Sequence, residues 1–191
     1  MSVVLGVDES PKAVEQWFQK LSHRKEKLTK LHFYFHDIVS GKNPNAIHVA
    51  GPSQHHFYIT HLVRPEPDSE IVGRAQGIYG SAGLEDLGLL MTLNFVFIEG
   101  KYNESTLSVL GRNPVFHKYH QMPIVSGSGV FRVARGVATA KTIWFNLTTG
   151  DAVAEYQVMV LTFTTFTIES CGILCSEEMD LEEERDEGAA T

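Results

Sequence analysis

Cysteine is scarce in this chain of 191 residues, which has only Cys171 and Cys175, both near its C-terminal end. Two cysteines in one short stretch cannot supply a disulfide framework for the rest of the chain. Long apolar runs are also missing, and no segment approaches the roughly 20 residues that a membrane-spanning helix needs. The fold must therefore depend on a hydrophobic core, and the chain is long enough to form one as a single domain.

Positive charge is not in excess either, and the net charge of -7 is confined to one place. Ser176–Thr191 holds eight acidic residues and one basic residue, whereas the other 175 residues carry 15 of each sign. A formally neutral body has no charge that would attract nucleic acid or an anionic membrane. We therefore expect a solvated acidic tail, no nucleic-acid partner and no membrane partner.

Nucleotide-binding, hydrolase and metal signatures are missing as well. The chain has no P-loop and no G-x-S-x-G elbow, and the glycines of Gly127–Gly129 are not followed by a third. Among the nine histidines, His55 and His61 would share one face of a strand but would lie roughly 20 Å apart. Because no histidine or cysteine spacing suits one ion, we expect no metal and no cofactor.

Three regions follow one another along the chain. Residues 1–28 are a polar lead-in, in which Pro11–Leu21 has the apolar spacing of a short helix. Residues 29–163 are rich in β-branched and aromatic residues in short runs, and residues 164–191 form a C-terminal extension that ends in the acidic tail. The middle region is expected to be the folded domain.

Short strands separated by turn residues dominate that domain. Leu31, Phe33 and Phe35 alternate with more polar residues, which is typical of a half-exposed strand. The further strands predicted are His55–Val63, Glu70–Tyr79, Leu89–Glu99, Ser105–Leu110, Gly129–Thr139, Thr142–Leu147 and Ala152–Phe163. About eight strands joined by tight turns predict an all-β fold, an eight-stranded antiparallel up-and-down β-barrel. Such a barrel has room for one small ligand, so its interior is the place to expect function.

Polar side chains interrupt these apolar strands at a few positions. Asp37 ends the first strand, Tyr79 closes another, and Arg132 and Arg135 lie in a third. The two arginines are three residues apart, so at most one of them points inward from an unbroken strand. A carboxylate, a phenol and a guanidinium meeting in a dry cavity would bind a phenolic or carbonyl ligand. An ion pair at the barrel rim beside a structural tyrosine is the alternative.

Two N-glycosylation sequons occur, at Asn103-Glu-Ser105 and Asn146-Leu-Thr148. Each adjoins a predicted turn, where a glycan can be accommodated. The pair favours a secretory origin. A signal peptide is not expected in this chain, because the apolar run Val3–Val7 is followed at once by Asp8 and Glu9.

Long ordered motifs in the domain resemble the plant dirigent proteins from about residue 27 to residue 161. The segments that carry the resemblance are KLTKLHFYFHDI at 27–38, SGKNP at 40–44, VGRAQGIY at 72–79, GKYN at 100–103, STLSVLGRNP at 105–114, VFRVARG at 130–136 and TGDA at 149–152. The resemblance implies an eight-stranded antiparallel barrel, secreted to the apoplast and assembled as a homodimer or homotrimer.

The resemblance also implies a function. Dirigent proteins oxidise nothing: a separate laccase or peroxidase makes phenolic radicals of the coniferyl alcohol type, and the barrel orients them so that lignan coupling is stereoselective. Relatives that dehydrate isoflavanols to pterocarpans provide the second hypothesis, and a barrel that only binds, in defence, provides the third. Asp37, Tyr79 and Arg135 match family motif positions and are the predicted catalytic residues.

The chain also departs from the family pattern. Phe57–Arg64 replaces a segment that usually resembles Asp-Asp-Pro-Leu-Thr, so one expected cavity carboxylate is gone. Lignan-forming members often have an aspartate where this chain has Asn113 and an arginine where it has His120. Together with Phe35 and Arg132, these two residues are the predicted substrate-binding set.

Overall fold

The computed structural model describes residues 8–46, 58–63, 71–81 and 88–163. A short helix precedes eight strands in this part of the chain. Their bounds are α1 Pro11–Gln19, β1 Glu26–Asp37, β2 Tyr58–Val63, β3 Ile71–Ser81, β4 Leu89–Phe97, β5 Thr106–Asn113, β6 His120–Ser128, β7 Arg135–Phe145 and β8 Ala152–Phe163.

The strands are hydrogen-bonded antiparallel in sequence order, and β1 also pairs with β8, so that the sheet closes on itself. The predicted all-β antiparallel class is confirmed. Because direction alternates, β1, β3, β5 and β7 all end at the same end of the barrel, which we call the upper end. The lower end is the one at which these four strands begin.

Side chains of alternate residues fill the interior. Five aromatic side chains, the aromatic cluster, occupy its middle and lower part: Phe33, Phe95, Phe97, Phe131 and Tyr156, each at most 5% exposed. Phe33 stacks on Tyr156 with ring centroids 5.7 Å apart, and Phe95 meets both rings edge-on. Burying a large aromatic side chain contributes about 1.5–3 kcal/mol, so this cluster is a principal source of stability.

The strands in the second half of the chain have different bounds from those predicted. His120–Ser128 is a strand, β6, that the sequence reading missed because Pro123 cannot donate to a ladder and argues against a strand. Here the proline faces outward and packs against the bare backbone of Gly111. Gly129–Phe131, the beginning of the predicted strand Gly129–Thr139, is a 3₁₀ turn. The rest of that strand is continuous with the next predicted one, Thr142–Leu147, in β7.

The helix that the apolar spacing of Pro11–Leu21 predicts is present as α1. It lies against the lower end of the barrel. The Ser10 side chain caps it, and Pro11 occupies the first turn, where a backbone N–H is not needed. Trp17 meets the ring of Phe163 edge-on at 5.9 Å and lies under the guanidinium groups of Arg24 and Arg132. No helix among the described residues is long and apolar enough to cross a membrane.

Candidate active site at the upper end of the barrel

Asp37 and Tyr79 are joined by a hydrogen bond inside the upper end. Asp37 is the last residue of β1 and shares the inward face of Phe33 and Phe35, because residues two apart point to the same side. The Tyr79 hydroxyl, on β3, donates to Asp37 Oδ2 at 2.7 Å. The structure thus brings together two of the three predicted catalytic residues, from positions 42 apart in the sequence.

Burial raises the pKa of Asp37 above its ordinary value of 3.8. Removing a carboxylate from water disfavours its charged form, and the negative charge of Asp151 acts in the same direction, while the hydrogen bond from Tyr79 opposes both. The Tyr79 hydroxyl occupies Oδ2, and the buried Oδ1 has no hydrogen-bond partner among the described residues. In the protonated acid, Oδ1 is therefore the oxygen that can carry the proton toward a ligand.

Asp151 fixes the loop that leaves β1. Its carboxylate accepts hydrogen bonds from the backbone N–H groups of Val39 and Ser40, at 2.8 and 2.9 Å, and from the hydroxyls of Ser40 and Thr149. The Ser40 hydroxyl is the main reason that the pKa of Asp151 is lowered. The TGDA motif includes Asp151, but the motif alone does not show with which loop its carboxylate forms hydrogen bonds.

Asn113 and His120 are buried at the same end, on the neighbouring ends of β5 and β6. They are only 5% and 3% exposed. Asn113 Oδ1 and both ring nitrogens of His120 lack a hydrogen-bond partner within the described chain. Burial, with a smaller contribution from His117, lowers the pKa of His120, which favours the neutral imidazole. Buried polar atoms without partners are uncommon, and these are available to a polar guest.

Aromatic rings lie below these polar groups. The ring of Phe35, a predicted substrate-binding residue, is 5.6 Å from that of Tyr156. Burial, together with the negative charge of Asp37, raises the pKa of the Tyr156 phenol. The sequence reading missed Tyr156, although its place in the inward-facing series of β8, two residues before Val158, was a usable signal.

The prediction that Arg135 joins Asp37 and Tyr79 is wrong. Arg135 begins β7 at the lower end, opposite Leu161, which pairs with Leu28. Nine residues separate Leu28 from Asp37 along β1, or about 30 Å. The Arg135 side chain points outward and forms an ion pair with Glu26 at 2.6 Å.

Arg132 is also at the lower end. It precedes β7 in a turn rather than lying within a strand, and it contacts the Asp8 backbone oxygen and the ring of Trp17. Neither arginine reaches Asp37, because Gly129–Phe131 turns the chain at the lower end and both residues follow this turn.

The two sequon asparagines lie at opposite ends of the barrel. Asn103 is exposed beside the 3₁₀ turn Gly100–Tyr102 at the lower end. Asn146 is half-buried in the upper loop between β7 and β8, where its Oδ1 accepts the backbone N–H of Thr148 at 2.9 Å. Their modification remains a prediction. The Phe57–Arg64 segment lies partly outside the described residues.

Comparison with known proteins identifies the family of this chain. The family model described as "Dirigent-like protein" matches residues 28–161, which include every residue of the upper site. The chain belongs to the dirigent family. It is 51% identical over 149 residues to Dirigent protein 21 of Arabidopsis thaliana, an alignment that covers 72% of this chain and 79% of that protein.

Relatives named pterocarpan synthases are also similar to this chain. Pterocarpan synthase 1 of Glycyrrhiza echinata is 42% identical over 152 residues, covering 73% of this chain and 81% of the relative. The solved structure of the pterocarpan synthase dirigent protein GePTS1 superposes with a TM-score of 0.68 at 41% identity, over 75% of this chain and 89% of that one. Among the described residues, no three His, Cys, Asp or Glu side chains are grouped as metal ligands.

Proposed function

We propose that this dirigent protein directs the coupling of monolignol radicals, of the coniferyl alcohol type, inside its eight-stranded barrel. A separate laccase or peroxidase supplies the radicals, and the barrel holds them so that one bond and one enantiomer form. The supporting observation is that buried polar atoms of Asp37, Asn113 and His120, which lie above aromatic side chains, have no hydrogen-bond partner among the described residues.

The composition of this site suits a phenol with a polar side chain. Phe35 and Tyr156 offer ring faces and edges to an aromatic guest, whereas the carboxyl, amide and imidazole groups offer hydrogen bonds to its hydroxyls. Radical coupling is fast without help, so the protein has only to favour one orientation. A difference of about 1.4 kcal/mol between two orientations already gives a tenfold excess of one product.

Asp37 would act after the bond has formed. Coupling of two such radicals gives quinone methides, whose carbonyl oxygen gains a proton while a side-chain hydroxyl attacks and loses one. A carboxylic acid that keeps its proton because it is buried can donate to that oxygen, and the resulting carboxylate can accept the proton of the hydroxyl. Tyr79 positions the acid through Oδ2.

Isoflavanol dehydration is the second candidate, and the raised pKa of Asp37 favours it. The leaving hydroxyl would take the proton of Asp37 and depart as water. The substrate's own phenol would then close the ring and return its proton to the carboxylate. Two curated relatives are named pterocarpan synthases, at 42% and 41% identity.

Supplying or withholding an oxidant separates the two candidates. With coniferyl alcohol and laccase, the first predicts a non-racemic product on a chiral column. With an isoflavanol and no oxidant, the second predicts turnover whose rate falls as pH rises through the raised pKa of Asp37. If neither mixture responds to the protein, a barrel that only binds is the remaining hypothesis.

Variants locate the activity. Asp37→Asn keeps the shape of the side chain but removes the proton donor, and should return the coupling product to a racemate or lower the dehydration rate by about 100-fold or more. Arg135→Gln is the matched control, because that side chain is exposed at the other end of the barrel. Equal losses in both variants would refute a site at Asp37.

The proposal extends to assembly and location. Ile78, Leu90, Leu110 and Val125 lie on the outer faces of the neighbouring strands β3–β6, each about half exposed, and exposed apolar side chains on one side of a sheet suit a homodimer or homotrimer interface. The sequons at Asn103 and Asn146 support secretion to the apoplast. Sedimentation of the purified protein and glycosidase treatment of the plant-derived protein test these two points.

A further inference from the structure

A pocket opens at the lower end of the barrel, with a volume of about 300 Å³. It lies where β1 begins and β8 ends, beside the turns at Gly100–Tyr102 and Gly129–Phe131. Its wall is made of Lys27, Thr29, Lys101, Tyr102, Val130, Phe131, Thr162 and Phe163. This volume is at the lower limit for small-molecule pockets, so it suits a ligand with one ring.

The pocket is separate from the upper site. Phe33, Phe95 and Phe97 fill the interior between the two, and each is at most 5% exposed. Phe131 is at once a wall of the pocket and a neighbour of Phe97, at 5.5 Å between centroids. A ligand bound here would not reach Asp37, so the pocket plays no part in the reaction proposed above.

The wall combines cationic, hydroxyl and aromatic groups. Lys27 and Lys101 are the charged residues that line it, no acidic residue does, and lysine is cationic at neutral pH. Thr29 and Thr162, at most 9% exposed, place hydroxyls 3.5 Å apart. The ring of Tyr102 lies 4.9 Å from that of Phe131 and provides an aromatic surface.

We infer that the lower pocket binds a one-ring aromatic carboxylate, with the ring against Tyr102 and Phe131 and the carboxylate between Lys27 and Lys101. Opposite charge and hydroxyl donors stabilise the carboxylate, and the aromatic wall excludes water from the ring. Glu26, next to Lys27 in sequence, is paired with Arg135 and does not line the pocket.

The two tryptophans of the chain allow a direct measurement, because each reports on one end of the barrel. Trp17 touches Phe163, a wall of the pocket, whereas Trp144 is on β7 near the upper end. The full-length Trp144→Phe variant therefore emits from Trp17 alone. Titration with 3-phenylpropanoate should change this emission saturably, with a dissociation constant of about 1 mM or tighter.

The neutral analogue 3-phenylpropan-1-ol and two lysine variants complete the test. The alcohol should bind at least about tenfold more weakly than the acid. The double variant that combines Lys27→Met and Lys101→Met should weaken binding of the acid by about tenfold or more. Lys30→Met is the matched control, since Lys30 is exposed on the opposite face of β1, and it should leave binding unchanged. Equal binding of acid and alcohol, equal effects of the pocket and control variants, or the absence of saturable binding would overturn the inference.

Discussion

Asp37 releases its proton at a higher pH in the folded chain than in the unfolded chain, because burial penalises its charge. Between the ordinary pKa of 3.8 and the raised folded value, the folded state binds more protons than the unfolded one. Stability attributable to Asp37 is therefore greatest below the ordinary value and falls as pH rises through the folded value. Asp37→Asn should remove this loss and raise the melting temperature at neutral pH relative to the parent.

Thermal unfolding of both proteins between about pH 3 and pH 8 measures this effect. The difference in melting temperature, variant minus parent, should grow toward neutral pH. A difference that is constant with pH, or that shrinks as pH rises, would show that Asp37 is not held in its acid form.

The contribution of His120 to stability depends on pH in the opposite direction to that of Asp37. Its folded pKa is lowered by burial, so stability is lost as pH falls from the ordinary value of 6.5 toward the folded value. His120→Leu removes two buried nitrogens that have no partner among the described residues, and should raise the free energy of unfolding by about 1–3 kcal/mol, more at acid pH than at pH 7.5. Urea titrations at two pH values test this, and lower stability in the variant would mean that these nitrogens are satisfied.

At the scale of single residues, the sequence was informative where a residue ends or interrupts a regular strand. Asp37 and Tyr79 lie in strands whose alternation is unbroken, so facing directions could be derived correctly. Arg135 follows a 3₁₀ turn and begins β7 at the lower end of the barrel, and a single sequence does not reveal at which end a strand begins. The structure therefore brings the phenol and the carboxyl together and places the guanidinium elsewhere, while the catalytic roles of Asp37 and Tyr79 stay a prediction.

At the scale of the strand, glycines mark the places where neighbouring backbones approach closely. A Cβ added at Gly77 of β3 would lie 2.0 Å from the Thr92 carbonyl oxygen, whereas one added at Gly80 of the same strand would meet nothing within 4 Å. Gly77→Ala should therefore cost about 1–3 kcal/mol or more. Gly80→Ala should be neutral or stabilise by about 0.4–1 kcal/mol. Chemical denaturation of the two variants gives the comparison, and equal midpoints would contradict the close approach at Gly77.

Asp151 connects a loop to the site and provides a second prediction at this scale. Its pKa is lowered, chiefly by the Ser40 hydroxyl, so its stabilising contribution is present above 3.8 and is lost as pH falls through the folded value. Asp151→Asn should lower the melting temperature at neutral pH. The difference in melting temperature should vanish in acid, and its sign is opposite to that expected for Asp37→Asn.

Since Asp151 also raises the pKa of Asp37, the same variant should move the alkaline limb of any Asp37-dependent activity to lower pH. An unmoved limb would mean that the two carboxyls are not coupled.

Strand boundaries were predictable only where turn chemistry was ordinary. The paired strands β3 and β4 have clean alternation and were placed nearly correctly, but β6 was missed because Pro123 normally marks a strand as absent or at an edge. In this barrel the proline faces solvent, and the bare backbone of Gly111 leaves room for its ring. Such compensation between two strands cannot be seen in either strand alone.

At the scale of the whole molecule, the interior aromatic cluster comes entirely from the barrel, and helix α1 buries none of its residues. The helix is held by Trp17, which contacts Phe163, Arg24 and Arg132. Contacts of this kind contribute about 0.5–2 kcal/mol each.

A chain lacking residues 1–24 should therefore fold cooperatively, with a midpoint lower by a few degrees and an almost unchanged denaturant slope, because little surface is lost. Its activity at the upper site should equal that of the full chain, since α1 lies at the opposite end. Denaturant unfolding followed by Trp144 emission, together with the chiral product assay, tests both statements, and loss of the cooperative transition would show that the lead-in is an integral part of the barrel domain.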